Sequence, residues 1–175
     1  MIQTFQINPW GFTGAFAVLM AWSLAAFLLK SATRDRVTIL FAIVLIVEGL
    51  VLVTSSSGVW MLFDLKAPDR FWWEHHAADC AMLVVYPIFL AHVLPQKFLR
   101  HLRKPAAVFV LLVIAVVALL TPLFTDFWLM AALLAIMFMA AFGLAIHAVL
   151  ISKTELARRR AKLFAFAFGL RDVTW

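Results

Sequence analysis

The stretch "FWLMAALLAIMFMAAFGLAIHAVLI", residues 127–151, runs for 25 residues without one Asp, Glu, Lys or Arg. Wound as an α-helix at ~1.5 Å per residue it is longer than the ~30 Å hydrocarbon core of a bilayer. Lipid offers no hydrogen bonds, so a segment living there must satisfy its own backbone, and a helix does so residue by residue. This run is therefore expected to be a membrane-crossing helix. Four more apolar runs follow the same rule, at about 11–29, 37–53, 77–94 and 106–124.

Composition agrees with that reading over the whole chain. Of 175 residues 66% are hydrophobic and only 14% charged, far from the balance of a water-soluble domain. The expected fold is all-α: a single polytopic transmembrane bundle, 1–175, with five full crossings and a partial sixth over 161–175. With Cys80 as the one cysteine, no intrachain disulfide and no cysteine-based metal cage can form.

Cations set the expected orientation. Lys30, Arg34 and Arg36 lie between the first two runs, Lys97, Arg100, Arg103 and Lys104 between the third and fourth, and Lys153, Arg158, Arg159, Arg160 and Lys162 after the fifth. The other connections carry only Lys66 and Arg70. This alternation follows the positive-inside pattern for a chain whose N-terminus faces outward, in a prokaryotic inner (plasma) membrane. The net charge of +6 is then an orientation signal, and no nucleic-acid partner is implied. Because "MIQTFQINPW" has no cation ahead of the first run, that run is expected to stay attached rather than be cleaved as a signal peptide.

Polar groups inside the apolar runs are the candidate site. Glu48 lies about five residues below the outer end of the second run, at a depth where an acid is costly unless protonated, paired or wet. In "RFWWEHHAADCAMLVVYPIFL", residues 70–90, His75, Asp79, Met82 and Tyr86 fall at helical spacings of 4, 3 and 4 and form one stripe, with His76 one step aside. Glu48, His75, His76, Asp79 and Tyr86 are thus expected to line an outward-facing pocket that senses protons or binds a ligand. Three chemistries suit it: a metal held by Glu48, His75 and Asp79, a proton relay using imidazole's titration near pH ~6.5, or the polar end of an amphipathic ligand. The plainer alternative is that Glu48 is protonated and bonded to a neighbouring helix while the histidines are solvated at the interface. Pro87 removes one helical hydrogen bond and bends the third helix, most simply as a static kink.

A second pair, His92 and His147, lies near the inner ends of the third and fifth runs, at depths differing by about 3 Å of helical rise. Two imidazoles so placed suit haem or another pigment. No phosphate-binding glycine loop, nucleophile elbow or zinc-protease motif is present, so the sequence gives no ground for an enzyme.

The tail "RRRAKLFAFAFGLRD", residues 158–172, has apolar side chains around most of the helix circumference, which suits a sixth crossing that continues in a longer polypeptide. A C-terminal helix packed under the bundle is the rival reading. With the outward N-terminus, five short-looped crossings and basic turns, this tail resembles the N-terminal multi-pass sensor regions, often of seven helices, of bacterial and archaeal membrane histidine kinases. The resemblance implies a receptor-like input module that passes a signal inward to a cytoplasmic signalling domain by helix displacement. The competing expectation is an accessory or scaffold subunit of a larger membrane complex, holding haem or pigment among other membrane subunits.

Overall fold

The computed structural model describes residues 9–31, 35–55, 60, 62, 72–121 and 127–174, and among them every regular element is a helix. The order is α1 (Pro9–Ser31), α2 (Arg36–Thr54), α3 (Trp72–Val93), a 3₁₀ helix (Lys97–Arg103), α4 (Pro105–Leu120), α5 (Phe127–Ile151) and α6 (Glu155–Thr174). Two compact units divide the chain, Met1–Val85 and Tyr86–Trp175. Arg34, and within the outer connection expected over 54–76 the residues 56–59, 61 and 63–71, with Lys66 and Arg70 among them, lie outside the described residues.

In the first unit α1 and α2 form a pair. Their seam is made of small side chains: Val18 and Ala25 on α1, Ala42 and Gly49 on α2, each pair seven residues apart and all buried. Apolar burial drives little association when the surroundings are as apolar as the core, so close approach of backbones through small residues carries the contact. The indole of Trp22 crosses this seam, donating from Nε1 to the Ile46 carbonyl at 3.3 Å. A Cβ on Gly49 would stand 2.0 Å from that nitrogen, so only glycine fits beneath the ring. The outward faces of α1 and α2, with Phe12, Phe16, Phe27 and Ile43, stay exposed, which suits lipid rather than water.

Both ends of α2 are closed by side chains. Asp35 caps the start, accepting from the Val37 N–H at 3.3 Å and the Thr38 hydroxyl at 3.1 Å. At the other end Ser55 N–H reaches Val51 O, and Trp60 donates its indole N–H to Val53 O at 2.8 Å. These bonds occupy carbonyls that the end of a helix leaves open.

In the second unit α5 packs on α6. Ala141, Ala145 and Ala148 make a fully buried alanine strip along α5, continued by Ser152, and Ala161 is buried on α6. Two rings from the C-terminal half of α3 belong to this unit: Tyr86 meets Phe138 edge-on at 5.3 Å, and Phe89 meets Phe164 at 6.0 Å. Gln96, between α3 and the 3₁₀ helix, is buried and donates its amide nitrogen to Leu144 O at 2.7 Å.

Three boundaries differ from expectation. α3 begins at Trp72 rather than 77, so Glu74, His75 and His76 belong to the helix and not to the connection. α4 stops at Leu120 instead of 124, because the chain meets Pro122, which disfavours helical geometry in the residue before it. α6 starts at Glu155, earlier than 161, where the Thr154 hydroxyl accepts from Ala157 N–H at 3.3 Å as an N-cap.

α1, α2, α3 and α5 are each long and apolar enough to cross a membrane. The 16 residues of α4 give only about 24 Å of helix, and α4 meets the 3₁₀ helix at a 75° bend, so this pair is either one broken span or a re-entrant turn.

Candidate functional site

The polar residues of α3 gather at its first three turns. Asp79 is 7% exposed and His76 5%, both deep for such groups, while His75 is half-buried between them. His75 Nε2 faces Asp79 Oδ2 at 3.5 Å, the i,i+4 pairing anticipated from the spacing. On its other side His75 Nδ1 lies 3.2 Å from the hydroxyl of Thr54, the last residue of α2.

These contacts fix where the protons are. Thr54 Oγ1 sits 2.7 Å from Leu50 O, and a carbonyl only accepts, so the single hydroxyl proton points there. His75 Nδ1 must therefore carry a proton and donate it to Thr54. The remaining nitrogen, Nε2, is directed at Asp79. Thr54, His75 and Asp79 thus form one polar chain that runs from the end of α2 to the third turn of α3.

Aromatic rings pack together at the same end of α3. His76 stacks on Trp72, with centroids 5.7 Å apart and ring planes 20° apart, and Trp73 lies edge-on to Trp72 at 5.0 Å. An imidazole packed this way is held as a flat aromatic body as much as a base.

The other expected members are placed differently. Glu48 is half-buried on α2, about 9 Å along the axis from Thr54. Tyr86 is buried in the second unit against Phe138. Among the described residues no three His, Cys, Asp or Glu side chains gather as a metal would require, so Glu48, His75 and Asp79 do not form that trio. Sequence reasoning missed Thr54. Its signal was a hydroxyl at the last turn of a largely aliphatic helix, but its partner comes from another helix.

Of the second pair, His92 is half-buried with Nδ1 bonded to Ile88 O at 2.9 Å, so that nitrogen carries the proton and Nε2 is the one left to accept or ligate. His147 is exposed, off the α5 strip formed by Ala141, Ala145 and Ala148. Exposed His101 lies in the basic 3₁₀ helix.

No protein-family model, characterised protein or solved structure matches this chain. Its class therefore rests on its own helices. Four of them are long and apolar enough to cross a bilayer, and they make it an integral membrane protein.

Proposed function

We propose that this chain is a sensor-like module of the membrane whose input is proton occupancy, or the polar end of a ligand, at Thr54, His75 and Asp79. The observation that carries the proposal is the hydrogen-bond order at His75. With Nδ1 committed to Thr54 of α2, gain or loss of the proton facing Asp79 changes the charge of a contact that ties α3 to the end of α2. A membrane receptor needs such a change: local in chemistry, and felt by two helices at once. Glu48, half-buried lower on α2, extends the polar zone inward, and His76 packs with the two tryptophans at the start of α3.

In this proposal α4 and its 3₁₀ lead-in complete a fifth crossing, the N-terminus is outside, and the site opens to the outer face of a prokaryotic inner membrane. The output passes to a cytoplasmic signalling domain or to neighbouring membrane subunits. The alternation of basic turns supports that orientation.

The test is infrared and imidazole ¹⁵N spectroscopy on protein in lipid nanodiscs, titrated between about pH 4 and pH 9, a window bracketing imidazole's ordinary range. One protonation event shared by His75 and Asp79 is expected, lost in Asp79→Asn and in His75→Gln. If neither group changes protonation across the window and wild-type spectra match those of both variants, the proton reading is wrong.

A second reading, an accessory subunit binding haem or pigment, draws support from His92. Its bonded Nδ1 leaves Nε2 in the orientation that metal-bound imidazoles take. A Soret or pigment band in the purified protein, abolished by His92→Ala, favours it over the sensor.

A further inference from the structure

In the second unit an open pocket of about 230 Å³ lies where the end of α3 meets the start of α6. Val93, Leu94 and Pro95 form one wall, and Thr154, Ala157 and Phe164 the facing one. The walls are apolar apart from the Thr154 hydroxyl. The volume falls below the roughly 300–1,000 Å³ that encloses a whole small-molecule ligand, so it suits part of a chain entering from an open side.

The chain that flanks both walls is cationic. Exposed Lys97, Arg100 and Lys104 follow one wall in sequence, and Lys153, Arg159 and Lys162 flank the other. Two arginines are held in place. Arg103 donates from Nε to Ala91 O at 2.7 Å and also from Nη2, two residues before Val93 of the wall. Arg158 donates from Nη2 to Ser152 O at 3.4 Å, two residues before Thr154. Each thus sits at the open carbonyl end of a helix, α3 or α5, with further N–H donors left over. A guanidinium carries five. The one nearby acid on α6, Glu155, meets Arg159 at 3.3 Å and reaches Arg158 only at 4.0 Å.

We propose that this pocket binds an anionic phospholipid, an acyl segment lying between Leu94 and Phe164 and the phosphate meeting Arg103 and Arg158. Charge complementarity selects the occupant. Fixed guanidinium forks match a phosphate, and an apolar slot beside them, in a protein surrounded by lipid, matches the chain attached to it. The inference is independent of the proton site on α3.

Native mass spectrometry of the detergent-purified protein tests it, with phosphatidylglycerol, phosphatidylcholine and inorganic phosphate as probes. Phosphatidylglycerol is expected to be retained at least about tenfold better than phosphatidylcholine. Arg158→Gln should lower its retention about fivefold, the factor one cation contributes at an anionic surface. Ala157→Leu fills the slot and leaves every cation, so it should weaken phosphatidylglycerol while leaving any binding of inorganic phosphate unchanged. Equal retention of the two lipids, or competition by phosphate as effective as by phosphatidylglycerol, overturns the proposal. The wild-type lipid comparison needs no variant, so poor folding of a mutant does not shelter the idea.

Discussion

The Trp22 indole lies on Gly49 so closely that no other residue can occupy position 49 without moving the ring. Gly49→Ala is expected to push the indole off Ile46 O and part α1 from α2, at about 1–3 kcal/mol, the usual range for overpacking a fitted contact. Gly143 on α5 is the control. A Cβ there meets nothing within 4 Å, so Gly143→Ala should be neutral or stabilising by up to about 1 kcal/mol through helix propensity. Thermal unfolding of both variants in one detergent checks the contrast, and equal effects of the two would refute the close-contact account.

Thr54 is predicted to set the His75 tautomer. Thr54→Val keeps the shape and removes the acceptor, leaving the Nδ1 proton unmatched, and about 1–2 kcal/mol of stability should go with it. The imidazole ¹⁵N signals should show protonation moving away from Nδ1, and Thr54→Ser should restore the wild-type pattern. A Val variant whose His75 remains protonated at Nδ1 would show that Asp79 alone orients the ring.

Much of this was legible in the sequence, for reasons that differ by residue. Apolar length marks α1, α2 and α5 to within two residues at each end. The α3 start escaped that logic. Trp72, Glu74, His75 and His76 are interfacial in chemistry, yet a helix does not stop where its apolar stripe does. The His75 and Asp79 pairing was visible because it is local, four residues along one helix. Thr54 and the Trp22 contact were not, because each joins two helices and the packing between helices decides it. Pro122 was a readable boundary mark that the long apolar run before it obscured, and Thr154 a readable cap that the cationic block after it obscured.

Gln96 yields a prediction against intuition about polarity. Its amide nitrogen serves Leu144 O, and its buried amide oxygen has no hydrogen-bond partner among the described residues. Gln96→Leu removes one bond and one unsatisfied acceptor together, so it should stay within about 1 kcal/mol of wild type. Gln96→Glu keeps a polar group but sets an anion against a carbonyl, and should cost about 3 kcal/mol when ionised. Only the protonated acid can donate to Leu144 O. That variant is therefore expected to be most stable at low pH and to lose stability as pH rises through its carboxyl titration, as unfolding curves at several pH values would reveal. A Glu variant with the same stability at all pH values would mean that water reaches the site.

The number of crossings turns on α4, and cysteine labelling decides it. Cys80 is 3% exposed, so in the folded protein it should remain unlabelled and give a quiet background. Lys97 and Lys153 are both exposed, one at the start of the 3₁₀ helix that leads into α4, the other just after α5. If α4 and its bent lead-in cross the membrane, two crossings separate these positions, and Lys97→Cys and Lys153→Cys must react from the same side. If the 75° bend instead marks a re-entrant turn, only α5 crosses between them and they must react from opposite sides. Reaction at both positions only when the reagent reaches the cytosol is the expected result, since positive residues crowd both segments. Labelling from opposite faces would reduce the spans to α1, α2, α3 and α5 and put the cations after α5 on the outer surface, against the charge rule that the proposed orientation depends on.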